Sequence, residues 1–197
     1  MPRDLTTWQW LFEHPTYSPL ARFPHKQLAG YTNAITKERL DWQQVKDSAT
    51  YLSTALVKRY GLQPDDTVAL FSQNSIWYPV AMHATLRVGG KVSGASPAYN
   101  VEEMTYALKT ADAKFLLTHP NSMEVATKAA ESAGIPKERL FLLEGSMDGY
   151  TTIKELIEMG KREGEQVPYF TIPKGKTNFD VCKYPQEHCS LDHPVVG

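Results

Sequence analysis

Cysteine is almost absent from this chain of 197 residues: Cys182 and Cys189 are the only two, both in the last sixteen residues. No disulfide framework can therefore organise the main body, and a reducing compartment is expected. Long apolar runs are missing as well. Nothing approaches the ~18 consecutive apolar residues of a membrane-spanning helix. The start, MPRDLTTWQWLFEHP, interrupts its aromatics with Asp4, Glu13 and His14, unlike the apolar core of a secretory signal. There is no Asn-x-Ser/Thr glycosylation acceptor, and the terminal HPVVG is not a Ser-Lys-Leu peroxisomal address. Excess charge is lacking too. With 21 basic and 22 acidic residues interspersed, net charge is −1, and neither a nucleic-acid-binding patch nor an acidic tail stands out. These absences predict a cytoplasmic protein without membrane or nucleic-acid partners.

What remains is the composition of an ordinary globular domain, 42% hydrophobic and 22% charged. A chain of this length buries about 70% of the surface its unfolded form exposes, enough for a sizeable core. Residues 1–39 are rich in aromatics and turn formers (Pro15, Pro19, Pro24, Gly30) and read as an irregular N-terminal arm. From Asp41 the pattern becomes regular. Val45, Ala49, Leu52 and Leu56 recur at helical spacing, with Asp41 and Gln44 placed for a capping box and Gly61 for a stop. TVALF (67–71) follows as a buried strand. A helix over 75–88, with Pro79 in its first turn, a Gly89-Gly90 stop and a strand at 91–95 come next. Asn100 and Glu103 cap a helix that turns Met104, Leu108 and Ala111 inward. KFLLT (114–118) is a strand, 122–133 a helix closed by Gly134, RLFLL (139–143) a strand, and 152–161 a last helix. Strands alternating with helices predict an α/β fold, a doubly wound, mainly parallel sheet over 40–160. Residues 161–197, with four prolines and no sustained period, read as a loop-rich or disordered tail.

Three pieces in order, LDWQQVKDSATYLSTAL (40–56), GLQPDDTVALFSQNSIWYPVAMHATLRVGG (61–90) and ASPAYNVEEMTYALKTADAKFLLT (95–118), are similar to the early part of adenylate-forming acyl-CoA synthetases. This is the AMP-binding family of 4-coumarate–CoA ligases and luciferases. The resemblance implies an acyl-CoA ligase-like protein from a fungal biosynthetic pathway. Complete members use ATP, Mg²⁺ and coenzyme A to turn a carboxylic acid into an acyl-adenylate and then a thioester. It also puts the peroxisome second to the cytoplasm as a location. The family's Ser-Ser-Gly-Thr-Thr-Gly-x-Pro-Lys-Gly phosphate loop, which relatives carry shortly after a segment like TNFDV (177–181), is not found. CKYPQEHCSLDHPVVG stands there instead. The resemblance thus implies a copy truncated before the phosphate loop, inactive alone and binding no cofactor. The alternative is a non-catalytic fragment that associates with a full-length ligase, or with the missing C-terminal portion of a split one. A third reading, a product without a role, is not separable from the second by sequence.

No residue is nominated as catalytic, cofactor-binding or metal-binding. Asn74, Ser75, Pro97, Tyr99 and Asn100 read as turn and cap residues. His83 reads as a satisfied core histidine and Gly89-Gly90 as a helix stop rather than a phosphate loop. Lys174-Gly175-Lys176-Thr177 resembles the end of a Walker loop, but Phe170 stands where its first glycine belongs. Cys182, His188, Cys189 and His193 lack a common zinc-site spacing. A different nucleotide-binding role is disfavoured, because no glycine follows the first strand in Ser72-Gln73-Asn74-Ser75.

Overall fold

The computed structural model describes residues 4–24 and 27–176. The longest regular signal becomes its longest helix. Asp41 caps α2 (Trp42–Tyr60) by accepting from the Gln44 N–H at 2.8 Å, and the Gln44 side chain returns the bond to the Asp41 N–H. Two orphan donors of the helix N-terminus are satisfied reciprocally. Gly61 ends the helix at φ 73°, a left-handed conformation that costs glycine nothing. Val45, Ala49, Leu52 and Leu56 are all buried, as their spacing requires.

Four strands form a parallel sheet: β3 (Thr67–Phe71), β4 (Lys91–Ala95), β5 (Ala113–Thr118) and β6 (Leu140–Leu142), in the order β4-β3-β5-β6. Val68 pairs with Val92 on one side of β3 and with Phe115 on the other. The chain steps from β3 to β4 in one direction, then returns across β3 to lay down β5 and β6. Right-handed crossovers consequently place α3 (Tyr78–Arg87) on one face and α4 (Val101–Thr110) and α5 (Met123–Ala133) on the other. After β6, α6 (Ile153–Arg162) returns to the first face and packs along α2.

Alternation along the strands divides the core in two. Val68, Leu70, Phe115, Leu117 and Phe141 join α2, α3 and α6. Ala69, Phe71, Leu116, Leu140 and Leu142 join Met104, Leu108, Ala126, Ala129 and Ala130 of α4 and α5. The sequence thus predicts the α/β, doubly wound parallel layer that the structure contains. Pro79 sits in the first turn of α3, Asn100 and Glu103 form the α4 capping box, and Gly134 closes α5 at φ 77°.

Residues 1–39, read from sequence as an irregular arm, carry more regular structure in their described part. A π-helical turn (Gln9–Glu13) and the short α1 (Pro19–Arg22) are followed by an antiparallel hairpin of β1 (Gly30–Thr32) and β2 (Arg39–Asp41). Trp8 and Phe12, one turn apart, are buried against α2 and α3. Such a turn is too short for periodicity to betray it. In the C-terminal stretch read as loop-rich or disordered, α6 runs on to Arg162, and 163–176 contains neither helix nor strand. That segment lies as a strap along α2 and α3. The Val167 N–H donates to Thr54 Oγ1 at 3.2 Å, and the Phe170 N–H to the Arg87 carbonyl at 2.7 Å. The Arg59 guanidinium meets the Glu163 carboxylate at 2.6 Å.

Candidate functional site

In open parallel sheets, ligands are held beyond the carboxyl ends of the strands, where strand order reverses. Here that point lies between the ends of β3 and β5. The chain approaches it with Ser72, Gln73, Asn74 and Ser75 after β3 and with Thr118 and His119 at the end of β5. The Thr118 hydroxyl is fully buried and donates to the Phe71 carbonyl at 2.8 Å, stitching the two strands together across the crevice. The buried Ser72 hydroxyl donates to the Gln73 carbonyl at 3.0 Å. Ser75 Oγ accepts from the Trp77 N–H at 3.1 Å, Ser96 Oγ from the Ala98 N–H at 3.3 Å, and His119 Nδ1 from the Asn121 N–H at 3.3 Å. The serine hydroxyls and the imidazole serve local turns, and the Thr118 hydroxyl serves the sheet. Ser75 and Asn100 therefore occupy turn and cap positions, and exposed Asn74, Pro97 and Tyr99 lie in the same two loops.

One cleft, about 310 Å³, opens beside this edge and is lined by Glu38, Trp77, Leu143, Glu144, Thr152 and Lys154. Lys154 bridges its walls, with Nζ 2.9 Å from Glu38 and 5.1 Å from the centre of the Trp77 ring. A second cleft, about 320 Å³, lies between Tyr60, Lys137, Glu138 and Tyr150, where Lys137 Nζ sits 4.8 Å over the Tyr150 ring. In the first cleft the Thr152 hydroxyl donates to Glu155 Oε2 at 2.9 Å, a contact that belongs to the capping box of α6. Among the described residues no three His, Cys, Asp or Glu side chains converge as metal ligands.

His83 corrects one sequence expectation. It is a core residue of α3, 3% exposed, but among the described residues its Nδ1 finds no hydrogen-bond partner. Its ring meets Phe12 and Trp42 edge-on, at centroid distances of 5.0 and 5.9 Å. Burial among these aromatics pulls its pKa down from 6.5 to about 4. Gly89 stops α3 at φ 82° and is covered by the Phe170 ring, so the Gly89-Gly90 pair holds packing, not phosphate. Lys174-Gly175-Lys176 forms a turn closed by the Lys176 N–H on the Pro173 carbonyl at 3.0 Å, while Thr177 lies outside the described residues. Cys182, His188, Cys189 and His193 lie outside them too.

Sequence reading passed over Arg87, the most connected polar side chain of the interior. Its guanidinium donates to Ser53 Oγ at 3.0 Å and to the Val167 carbonyl at 2.7 Å, and sits 5.4 Å over the Trp8 ring. It ties arm, α2, α3 and strap together. A lone arginine in the last turn of a helix ordinarily reads as a dipole partner at the surface. Only the apolar neighbours Leu86 and Val88 hinted otherwise.

The relatives of this arrangement agree with one another. The solved anthranilate CoA ligase AuaEII superposes with a TM-score of 0.66 at 18% identity, over 80% of this chain and 29% of that one. A red-emitting luciferase from Phrixothrix hirtus gives 0.64 at 18%, over 75% of this chain and 36% of that one. At such identities the likeness concerns the fold. In sequence, the acyl-CoA ligase azaF of Aspergillus niger is 30% identical over 132 residues, 67% of this chain and 24% of its own length. The phenylacetyl-CoA ligase epaB of A. niger is 30% identical over 67% of this chain and 23% of its own length. The chain thus spans about a quarter of these curated relatives. The profile of the AMP-binding enzymes runs over residues 20–184, from the arm through the whole sheet and the strap, and the chain belongs to that family.

Proposed function

We propose that this chain supplies the opening α/β layer of an acid–CoA ligase and does not by itself form an acyl-adenylate. In the family reaction a carboxylate oxygen attacks the α-phosphorus of ATP and pyrophosphate leaves. The thiol of coenzyme A then displaces AMP from the acyl carbon. Both steps need fixed donors for the developing phosphate charge. One observation carries the reading: the family match covers the sheet, while the Ser72 and Ser75 hydroxyls at its carboxyl edge serve local turns, Thr118 ties β5 to β3, and the 197 residues hold no Ser/Thr/Gly-rich phosphate loop. A fungal biosynthetic setting is supported by azaF and epaB of Aspergillus niger and by the acyl-CoA synthetase ACTT5 of Alternaria alternata. The test is acid-dependent exchange of labelled pyrophosphate into ATP by the purified chain, with aromatic and aliphatic acids. No exchange above a protein-free control is expected, and clear exchange overturns the reading.

A second reading, a non-catalytic fragment that joins the rest of a ligase, is favoured by the quarter-length coverage together with one unfinished edge of the sheet.

A further inference from the structure

The first cleft, between the hairpin and the starts of α3 and α6, is lined by groups of both signs. Its floor is apolar: Leu143 and Ile153 are buried, and Trp77 is 6% exposed. Around them stand two carboxylates, Glu38 and Glu144, and one ammonium, Lys154. These polar groups are only partly used. Lys154 Nζ meets Glu38 at 2.9 Å, but the two side chains are 60% and 37% exposed, so the pair is screened and opens easily. Glu144 receives one long bond, 3.3 Å from Asn33 Nδ2 to Oε1, and among the described residues its Oε2 has no partner. The Trp77 indole N–H is buried and, among the described residues, likewise without an acceptor. Glu155 is not available, because its carboxylate accepts from the N–H and hydroxyl of Thr152.

Helix stability does not explain Lys154. It is the second residue of α6, and a cation in the first turn opposes the helix dipole. There its ammonium lies over the Trp77 ring, 5.1 Å from the centre, beside a carboxylate. The backbone N–H groups of Ile153 and Lys154, at the start of the helix, have no partner within it. Donors thus come from α6 and Trp77, and acceptors from the hairpin and the loop after β6. A simple anion meets two carboxylates, and a simple cation meets the ammonium and the positive end of the helix. A zwitterion satisfies both.

We propose that this cleft binds a free α-amino acid with an apolar side chain. Its carboxylate takes the α6 amides and Lys154, its ammonium lies between Glu38 and Glu144, and its side chain rests on Leu143, Ile153 and the Trp77 ring. Lys154 gives up Glu38 for the ligand's carboxylate, which lifts it from the ring and uncovers the indole. A volume of about 310 Å³ is at the small end of ligand clefts and suits a molecule of that size. Binding there involves no adenylation, so it goes beyond the ligase reading and is tested without ATP.

The test is calorimetric titration of the purified chain with L-leucine, then with 4-methylpentanoate, which lacks the ammonium, and L-leucinamide, which lacks the carboxylate. Leucine is expected to bind with a Kd of about 1 mM or lower, and both analogues at least about tenfold more weakly. Lys154→Met and Glu144→Gln, with folding checked by their urea transitions, are each expected to weaken leucine binding at least about tenfold. Lys137→Met, in the other cleft, should leave it unchanged. Three results overturn the proposal: no binding of leucine; an analogue that binds as tightly as leucine, which makes the site one for a simple anion or cation; and unchanged affinity in either folded cleft variant, which places the amino acid elsewhere.

Discussion

The two faces of the sheet are built on different principles. Below α4 and α5 the helices bring mainly small or flexible side chains, Met104, Met123, Ala126, Ala129 and Ala130 with Leu108, onto Phe71, Leu116, Leu140 and Leu142 of the strands, so the two helices lie close to the sheet. Below α2, α3 and α6 it is made of large rings brought from far away: Trp8 and Phe12 from the arm, Trp42 from the start of α2, Trp77 ahead of α3, and the strap over the top. Every buried side-chain polar atom left without a partner among the described residues belongs to this second face, at Trp42, Trp77, His83, Arg87 and Gln166. A face assembled from neighbouring, periodic elements satisfies its polar groups as it forms. One closed by distant segments inherits polar atoms it cannot all pair, and these cost stability that its larger apolar burial must offset.

The contrast is broken most severely at Gly160. A methyl group there would collide with the backbone carbonyl of Tyr51, where α6 lies on α2. Gly160→Ala is expected to cost more than about 3 kcal/mol in urea unfolding, since backbone has no rotamer to yield. The matched change Gly134→Ala behind α5, where a Cβ meets open space but φ is 77°, is expected to cost about 1 kcal/mol.

Acid is the second lever. His83 is neutral in the fold with a pKa near 4, against 6.5 when unfolded. Its depressed value means that the unfolded chain takes up a proton first, so the contribution is complete above pH 6.5 and is lost as pH falls toward 4. The loss reaches about 3 kcal/mol at the acid end, by the usual 1.36 kcal/mol per unit. The charged groups around this layer, Arg87 on the same helix and the Glu13–Lys46 pair at 3.0 Å, remain in His83→Phe. That variant is expected to flatten the stability profile between pH 6.5 and 5, and a profile identical to the parent's would refute the assignment.

Arg87→Met keeps the stem and removes the fork that holds the strap. We expect a loss of about 2 kcal/mol, the scale of leaving buried acceptors unpaired. Proteolysis should then become selective for 163–170 while α4 and α5 remain intact. Smallest is Asn100→Ala on the quieter face. Removing the side chain that accepts from the Glu103 N–H at 3.0 Å should cost about 1 kcal/mol and leave the strap resistant. If the Asn100 variant loosens the strap as much as the Arg87 variant does, the two faces are one cooperative unit and the contrast fails.

How much could be read beforehand follows the same division. The α4–α5 face was legible almost to the residue, because caps at Asn100 and Gly134 and runs such as KFLLT are local signals. The capping box at Asp41 and the stripe of α2 were equally plain. The burial of Trp8 and Phe12, the partnerless His83 nitrogen and the Arg87 clasp were not, since each depends on which distant segment arrives on top. At the carboxyl edge, the turn and cap roles of Ser75 and Asn100 were readable from their residue types. That Thr118 would stitch β5 to β3 was not, because strand order is invisible until crossovers are placed.

The strap also has a temporal meaning. Synthesis delivers β3 first, and each later α/β unit finds an already made neighbour, so the sheet can grow outward as the chain emerges. The bond from the Val167 N–H to Thr54 spans 113 positions. Contacts that close such long loops form late, because the entropy of closure must be met before they return anything. The final strap contact is therefore a completion mark: it forms only when α2 and α3 are both in place, more than a hundred residues after α2 was made.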